Sequence, residues 1–79
     1  MKKKELLKFI GEILNDNFKP VELSFNDSID TIPEWDSLAI VSIATALQAE
    51  FDIEIDVDEL EMLTSIKGIY TLINEKNKS

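Results

Sequence analysis

Asp36 and Ser37 stand where a loop closed by Pro33 and Glu34 turns into the most apolar segment of the chain. Asp36 is placed as an N-cap, whose carboxylate takes a backbone N–H that has no intrahelical partner, and Ser37 follows in the first turn. A hydroxyl there is held in the open at the positive end of the helix dipole, where a phosphate ester is favoured electrostatically. Ser37 is therefore the candidate anchor for a phosphate-linked group. Plain capping is the commoner reason for Asp and Ser at such a place, so the pair alone does not decide.

Other chemistry is restricted by what the chain lacks. It has no His and no Cys, which removes the usual general base, any Ser-His-Asp or Cys-His arrangement, thiolate chemistry and disulfides. Sixteen acidic against eight basic residues leave a net charge of -8, which disfavours nucleic acid and anionic lipid and favours basic protein surfaces. Six of the acids, Asp52, Glu54, Asp56, Asp58, Glu59 and Glu61, invite a calcium-loop reading. An EF-hand starting at Asp52 needs Gly at its sixth position and Glu at its twelfth, where Val57 and Leu63 stand, so a solvated face is expected instead. The chain is read as a non-enzyme without a metal site.

From Asp36 the chain reads DSLAIVSIATALQAEFDIEIDVDELEMLTSIKGIYTLINEK. It resembles the acyl carrier proteins, in which Asp-Ser-Leu opens a long helix. That helix closes on an Ala-Leu and Glu-Phe stretch, followed by an Ile/acid segment, a short helix, a Thr-rich start and a last apolar helix. The matching residues here are Asp36-Ser37-Leu38, Ala46-Leu47 with Glu50-Phe51, Glu54-Ile55, Leu60 to Leu63, Thr64-Ser65 and Ile66 to Ile73. They follow in order without a gap, and Ser24-Phe25 matches a loop feature of the same family.

The resemblance implies that a separate transferase attaches 4'-phosphopantetheine to Ser37. Acyl intermediates would ride as thioesters on the arm's terminal thiol, between acyl-loading and acyl-accepting enzymes that supply all catalytic groups. It further implies a cytoplasmic monomer, not inserted in a membrane. Two other readings stay open: a carrier of aminoacyl or peptidyl groups, and a carrier-like interaction module that is never modified. The apolar interior, with Ile40, Leu47, Ile55 and Tyr70 among its residues, is either a shelter for a bound chain or an ordinary filled core.

The elements that must position Ser37 follow from periodicity. With 79 residues there is room for one domain, expected over 1–79, with a thin core and a stability of about 4 to 12 kcal/mol. The expected fold is all-α, a small antiparallel helical bundle with three longer helices, one short helix and a long first loop. Lys2, Lys3 and Lys4 read as a solvated helix start, since Glu5, Lys8 and Glu12 break any signal-peptide or membrane-spanning run. Leu6, Phe9, Ile10, Ile13 and Leu14 recur at helical spacing, predicting a first helix over Lys3 to Asn17 that Pro20 cannot continue.

Residues 18–34 show no sustained period and are expected to form a packed loop. Val21, Leu23, Phe25, Ile29 and Ile32 are its apolar anchors, with a short turn around Ser28 to Thr31. The second helix is predicted from Ser37 to Phe51, with Ile40, Ile43, Ala44, Leu47 and Phe51 as its main stripe. Leu38 and Val41 widen the apolar arc, either to touch further neighbours or to dock partner enzymes. Ile53 and Ile55 are expected as core contacts in a linker. Asp56 or Asp58 caps a short helix through Leu60 and Leu63, and Thr64 or Ser65 starts a last helix containing Gly68. The tail from Asn74 is expected to fray.

Two departures from the family pattern matter. Glu34 stands where a Gly is usual two residues before Asp36, and bulky Trp35 lies close to the anchor. No acid occurs between Asp36 and Glu50; Ala39, Ser42, Gln48 and Ala49 replace the usual carboxylates. A nearly neutral docking face weakens electrostatic steering and points to partners other than the general fatty-acid synthesis enzymes.

Overall fold

A computed structural model describes residues 2–14 and 21–76. Helix α1 spans Lys3–Leu14, α2 spans Ser37–Phe51, a short 3-10 helix spans Val57–Thr64, and α3 spans Ile66–Lys76. The described residues form no named strand, so the chain folds as the expected all-helical bundle with one short helix. The boundaries of α2 are those predicted. Residues 15–17, given to the first helix by the sequence reading, lie outside the described residues, as does Pro20.

Each helix contributes the residues its period marks as apolar. Leu6, Ile10 and Leu14 of α1, Ile43, Ala44 and Leu47 of α2, Leu63 of the short helix, and Ile66, Ile69, Leu72 and Ile73 of α3 form one buried cluster with Trp35. α1 packs against both α2 and α3, and so does the short helix. Contact from several sides accounts for Ile40, Ile43, Ala44, Leu47 and Phe51 of α2, but not for Leu38 and Val41, which are exposed.

The loop before α2 is held down by backbone pairing. Ile29 N–H donates to the Thr64 carbonyl at 2.9 Å and Ile66 N–H donates to the Asp27 carbonyl at 3.2 Å, an isolated antiparallel bridge centred on Ser28 and Ser65. Val21, Leu23, Phe25 and Ile32 pack on the cluster as expected, but Ile29 is exposed. Its backbone rather than its side chain is the anchor. The predicted turn at Ser28 to Thr31 is present, with Thr31 N–H and Ile32 N–H both donating to the Ser28 carbonyl at 3.0 Å.

Lys3 is more than a solvated helix start. Its ammonium lies 4.5 Å from the centre of the Phe25 ring and 5.7 Å from that of Tyr70, while the two rings meet edge to face at 5.5 Å. The first turn of α1 is thereby tied to the loop and to α3.

The helix ends are satisfied locally. Asp52, in the left-handed region at φ 52°, closes α2, a conformation Asp tolerates better than most residues. Asp56 precedes the short helix, and its N–H donates to Glu59 Oε1 at 2.9 Å. Ser65 is the cap of α3, its Oγ accepting the Gly68 N–H at 3.0 Å. The expected fraying from Asn74 is corrected: α3 continues to Lys76, whose Nζ reaches both carboxylate oxygens of Glu59 at 2.9 Å. That ion pair ties the last turn back to the short helix.

Gly68 sits where two backbones meet. A Cβ there would collide with the Met62 carbonyl oxygen, in the short helix, with Ser65 Oγ 3.1 Å away. Helix propensity alone makes Gly68→Ala stabilising by about 1 kcal/mol. Overpacking against a backbone atom costs about 1 to 3 kcal/mol and wins here. Urea denaturation of Gly68→Ala is expected to show a net loss of up to about 2 kcal/mol, and a rise in stability would contradict the close approach.

Candidate functional site

The start of α2 is built by four successive devices. Ile32 and Trp35 close a tight turn through Pro33, with Trp35 N–H donating to the Ile32 carbonyl at 3.1 Å. Trp35 then enters the core, only 3% exposed, and its indole Nε1–H donates to the Leu63 carbonyl at 3.0 Å. Asp36 is extended and caps the helix, its Oδ1 accepting Ala39 N–H at 2.8 Å while its own carbonyl accepts Ile40 N–H at 3.0 Å. Ser37 is the first helical residue and is exposed.

These devices leave Ser37 presented but not engaged. Among the described residues its hydroxyl makes no hydrogen bond, and the N–H groups of Ser37 and Leu38 have no partner either. Open N–H donors at a helix N-terminus favour an anion. A nucleophilic oxygen in solvent beside them suits attachment of a phosphate-linked group. The residues present therefore fit a phosphopantetheine arm, with Ser37 holding it and Asp36 keeping the helix start in place.

Beyond the exposed Asp36 carboxylate, α2 next to Ser37 shows uncharged side chains to solvent. Leu38 is 78% exposed and Val41 56%, so both project outward rather than into the core, and Ser42, Thr45 and Ala49 continue the exposed side of α2. Val57, at the start of the short helix, is 81% exposed. The uncharged stretch that the sequence marks on α2 exposes fewer residues than expected. Ala39 is half-buried and packs on the core, and Gln48 is half-buried with its Oε1 accepting Ile55 N–H at 3.0 Å, so neither is among them. Gln48 holds the linker after α2.

Of the residues named for the interior, Leu47 is fully buried, and Ile40, Ile55 and Tyr70 are half-buried against the cluster. Ile53 is half-buried.

The titratable groups with shifted affinities support structure rather than chemistry. The Ser24 N–H, donating to Asp27 Oδ2 at 2.7 Å, holds that carboxyl below the usual carboxylate range, helped by the Thr31 and Ser24 hydroxyls. The Asp56 N–H and then Lys76 hold Glu59 low, and the bond to Glu59 raises Lys76. Both carboxylates brace the loop and short helix behind Ser37. Among the described residues, no group of three or more acids or other ligating side chains is placed to hold a metal ion.

Sequence reasoning found Ser37 and Asp36 but treated Trp35 as bulk beside the anchor. The signal was available: a large apolar residue just before an N-cap, with an apolar residue at the fourth helical position, is the pattern of a hydrophobic staple, here Trp35 and Ile40. Asp27 was also missed, although Ser24, Asp27 and Thr31 have the spacing at which turn side chains bond their own backbone.

Comparison with known proteins gives this geometry its context. Residues 5–73 match the family described as phosphopantetheine attachment site. The chain is 36% identical over 77 residues to an acyl carrier protein of Buchnera aphidicola, covering 95% of this chain and 92% of that one. It is 30% identical to an acyl carrier protein of Petrotoga mobilis, covering 96% and 92% respectively. To one of Campylobacter hominis it is 46% identical over 44 residues, 56% of either chain. No solved structure gives a significant match. The coverage of nearly the whole chain and the capped, exposed serine at the head of α2 agree: this chain belongs to the acyl carrier protein family of phosphopantetheine-bearing proteins.

Proposed function

We propose that Ser37 is the attachment point of 4'-phosphopantetheine and that the chain carries acyl groups for enzymes that dock on the exposed side of α2. The observation that carries this reading is the exposed Ser37 hydroxyl, unbonded among the described residues and beside two N–H donors open among them, in a chain whose residues 5–73 match the attachment family. In the attachment step Ser37 Oγ bonds to the phosphorus of the pantetheine phosphate of coenzyme A. The bond from that phosphorus to the bridging oxygen breaks, adenosine bisphosphate leaves, and the hydroxyl proton passes to a base of the transferase. The arm, once attached, supplies a terminal thiol that holds acyl groups as thioesters.

The chain's own residues do the rest. Asp36 and Trp35 hold the helix start, and the α2 N-terminus offers its dipole to the phosphodiester charge. Catalytic groups belong to the transferase and to the acyl-handling enzymes. Intact mass after incubation with coenzyme A and a phosphopantetheinyl transferase tests the reading: one arm on the wild type and none on Ser37→Ala supports it. An unmodified wild type isolated from its native host, and inert in that assay, would establish the interaction-module reading instead. Mass of the cargo released from the arm separates acyl from aminoacyl.

The uncharged face bears on partner chemistry. Partners that meet Leu38, Val41 and Ser42 gain more from apolar contact than from basic residues, so docking is expected to change little with ionic strength. Val41→Glu is expected to weaken docking of an acyl-loading enzyme, seen as a raised KM with kcat retained. A steep fall in wild-type turnover on adding salt, or improved docking in Val41→Glu, would show that partners read charge here.

A further inference from the structure

We propose that Trp35 is a positioning residue for arm transfer, setting where Ser37 stands by hydrogen-bonding the helix start to the end of the short helix. The inference rests on Ser37 as the attachment point. Nothing holds the Ser37 side chain directly, since its hydroxyl is exposed and makes no hydrogen bond among the described residues. Its oxygen is therefore placed by the backbone on either side. On the C-terminal side that backbone is α2, fixed by buried Ile43 and Leu47. On the N-terminal side it is Trp35, two residues away, 3% exposed and bonded through Nε1–H to the Leu63 carbonyl at 3.0 Å.

The bond adds a tie, nearer to Ser37, between the loop before α2 and the end of the short helix, which backbone pairing at Ser28 and Ser65 already brings together. Leu63 is fully buried near the end of the short helix, whose last carbonyls have no helical partners of their own. The neighbouring Thr64 carbonyl is taken by Ile29 N–H at 2.9 Å. The indole takes Leu63, so the loop and the residue before the cap are both registered on the same junction. A shift of the indole moves Asp36 and Ser37 with it, because only Asp36 lies between. Transfer requires Ser37 Oγ in line with the phosphorus of coenzyme A, forming the O–P bond as adenosine bisphosphate leaves. Small displacements of a reacting atom are costly to such a step.

The experiment compares arm transfer from coenzyme A, by one purified phosphopantetheinyl transferase, to the wild type, Trp35→Phe and Ile69→Val, all below their melting transitions. Ile69 is fully buried in α3 and serves as a destabilised control. Trp35→Phe is expected to lower kcat about tenfold with KM within about twofold, because the exposed α2 face is untouched. Ile69→Val is expected to match the wild type in both. A synthetic chain with benzothienylalanine at position 35 keeps the bicyclic shape and lacks the N–H donor, so it isolates the bond if Trp35→Phe folds poorly. It is expected to be as slow as Trp35→Phe. Wild-type kcat in the benzothienylalanine chain, or equal losses in Trp35→Phe and Ile69→Val, would overturn the proposal. A wild type that accepts no arm would instead refute the assignment of Ser37.

Discussion

Ser37→Ala is expected to abolish arm attachment completely while leaving the bundle folded. The two halves of that result have separate causes. Attachment needs an oxygen nucleophile, and an alanine offers none, so the mass increment of one arm should vanish rather than diminish. Stability should stay within about 0.5 kcal/mol of wild type, as for most surface substitutions, because the serine is exposed and makes no hydrogen bond among the described residues. The cap is Asp36, not Ser37. Intact mass and thermal melting measured on the same sample check both halves. Modification persisting in Ser37→Ala would move the site elsewhere, and a large loss of stability would mean that the hydroxyl is a structural cap after all.

The second large effect lies on the buried side of the same helix. Leu47→Ala is expected to cost about 3 kcal/mol, within the range of about 2 to 5 for emptying a buried leucine site. Leu47 is fully buried in the cluster that joins α1, α2, the short helix and α3. Against a total of about 4 to 12 kcal/mol for a chain of this length, such a loss removes a quarter or more of the stability. Leu38→Ala removes the same side-chain atoms from a site 78% exposed and is expected to change stability by less than about 0.5 kcal/mol. Urea denaturation of the two variants therefore reads the two sides of α2 directly. Similar losses in both would mean that Leu38 is covered and unavailable to partners.

The helices were legible because each has a period and a stop. Leu6, Ile10 and Leu14 mark the buried side of α1, and Ser37 to Phe51 runs between an Asp cap and a residue in the left-handed region. Ser65 was one of two caps proposed for α3, and its bond to Gly68 N–H selects it. The end of α3 was not legible, since Asn74, Glu75 and Lys76 are polar and read as a fraying tail. They stay helical because Lys76 pairs with Glu59, seventeen residues earlier in the chain. The role of Gln48 was hidden for a similar reason. Its position in the helical period marks it as surface, while its amide reaches the backbone of Ile55.

By itself the sequence determined that a serine stands in the first turn of an apolar helix, capped by an aspartate, in a chain with no His and no Cys. Those are local matters: capping, periodicity and composition act within a few residues and can be read from their order. Only the tertiary structure decided that the Trp35 indole bonds the Leu63 carbonyl, that Leu38 and Val41 face outward, and that the loop is pinned by backbone pairing at Ser28 and Ser65. Each of these depends on which donor meets which acceptor across the fold, and spacing along the chain carries no record of it.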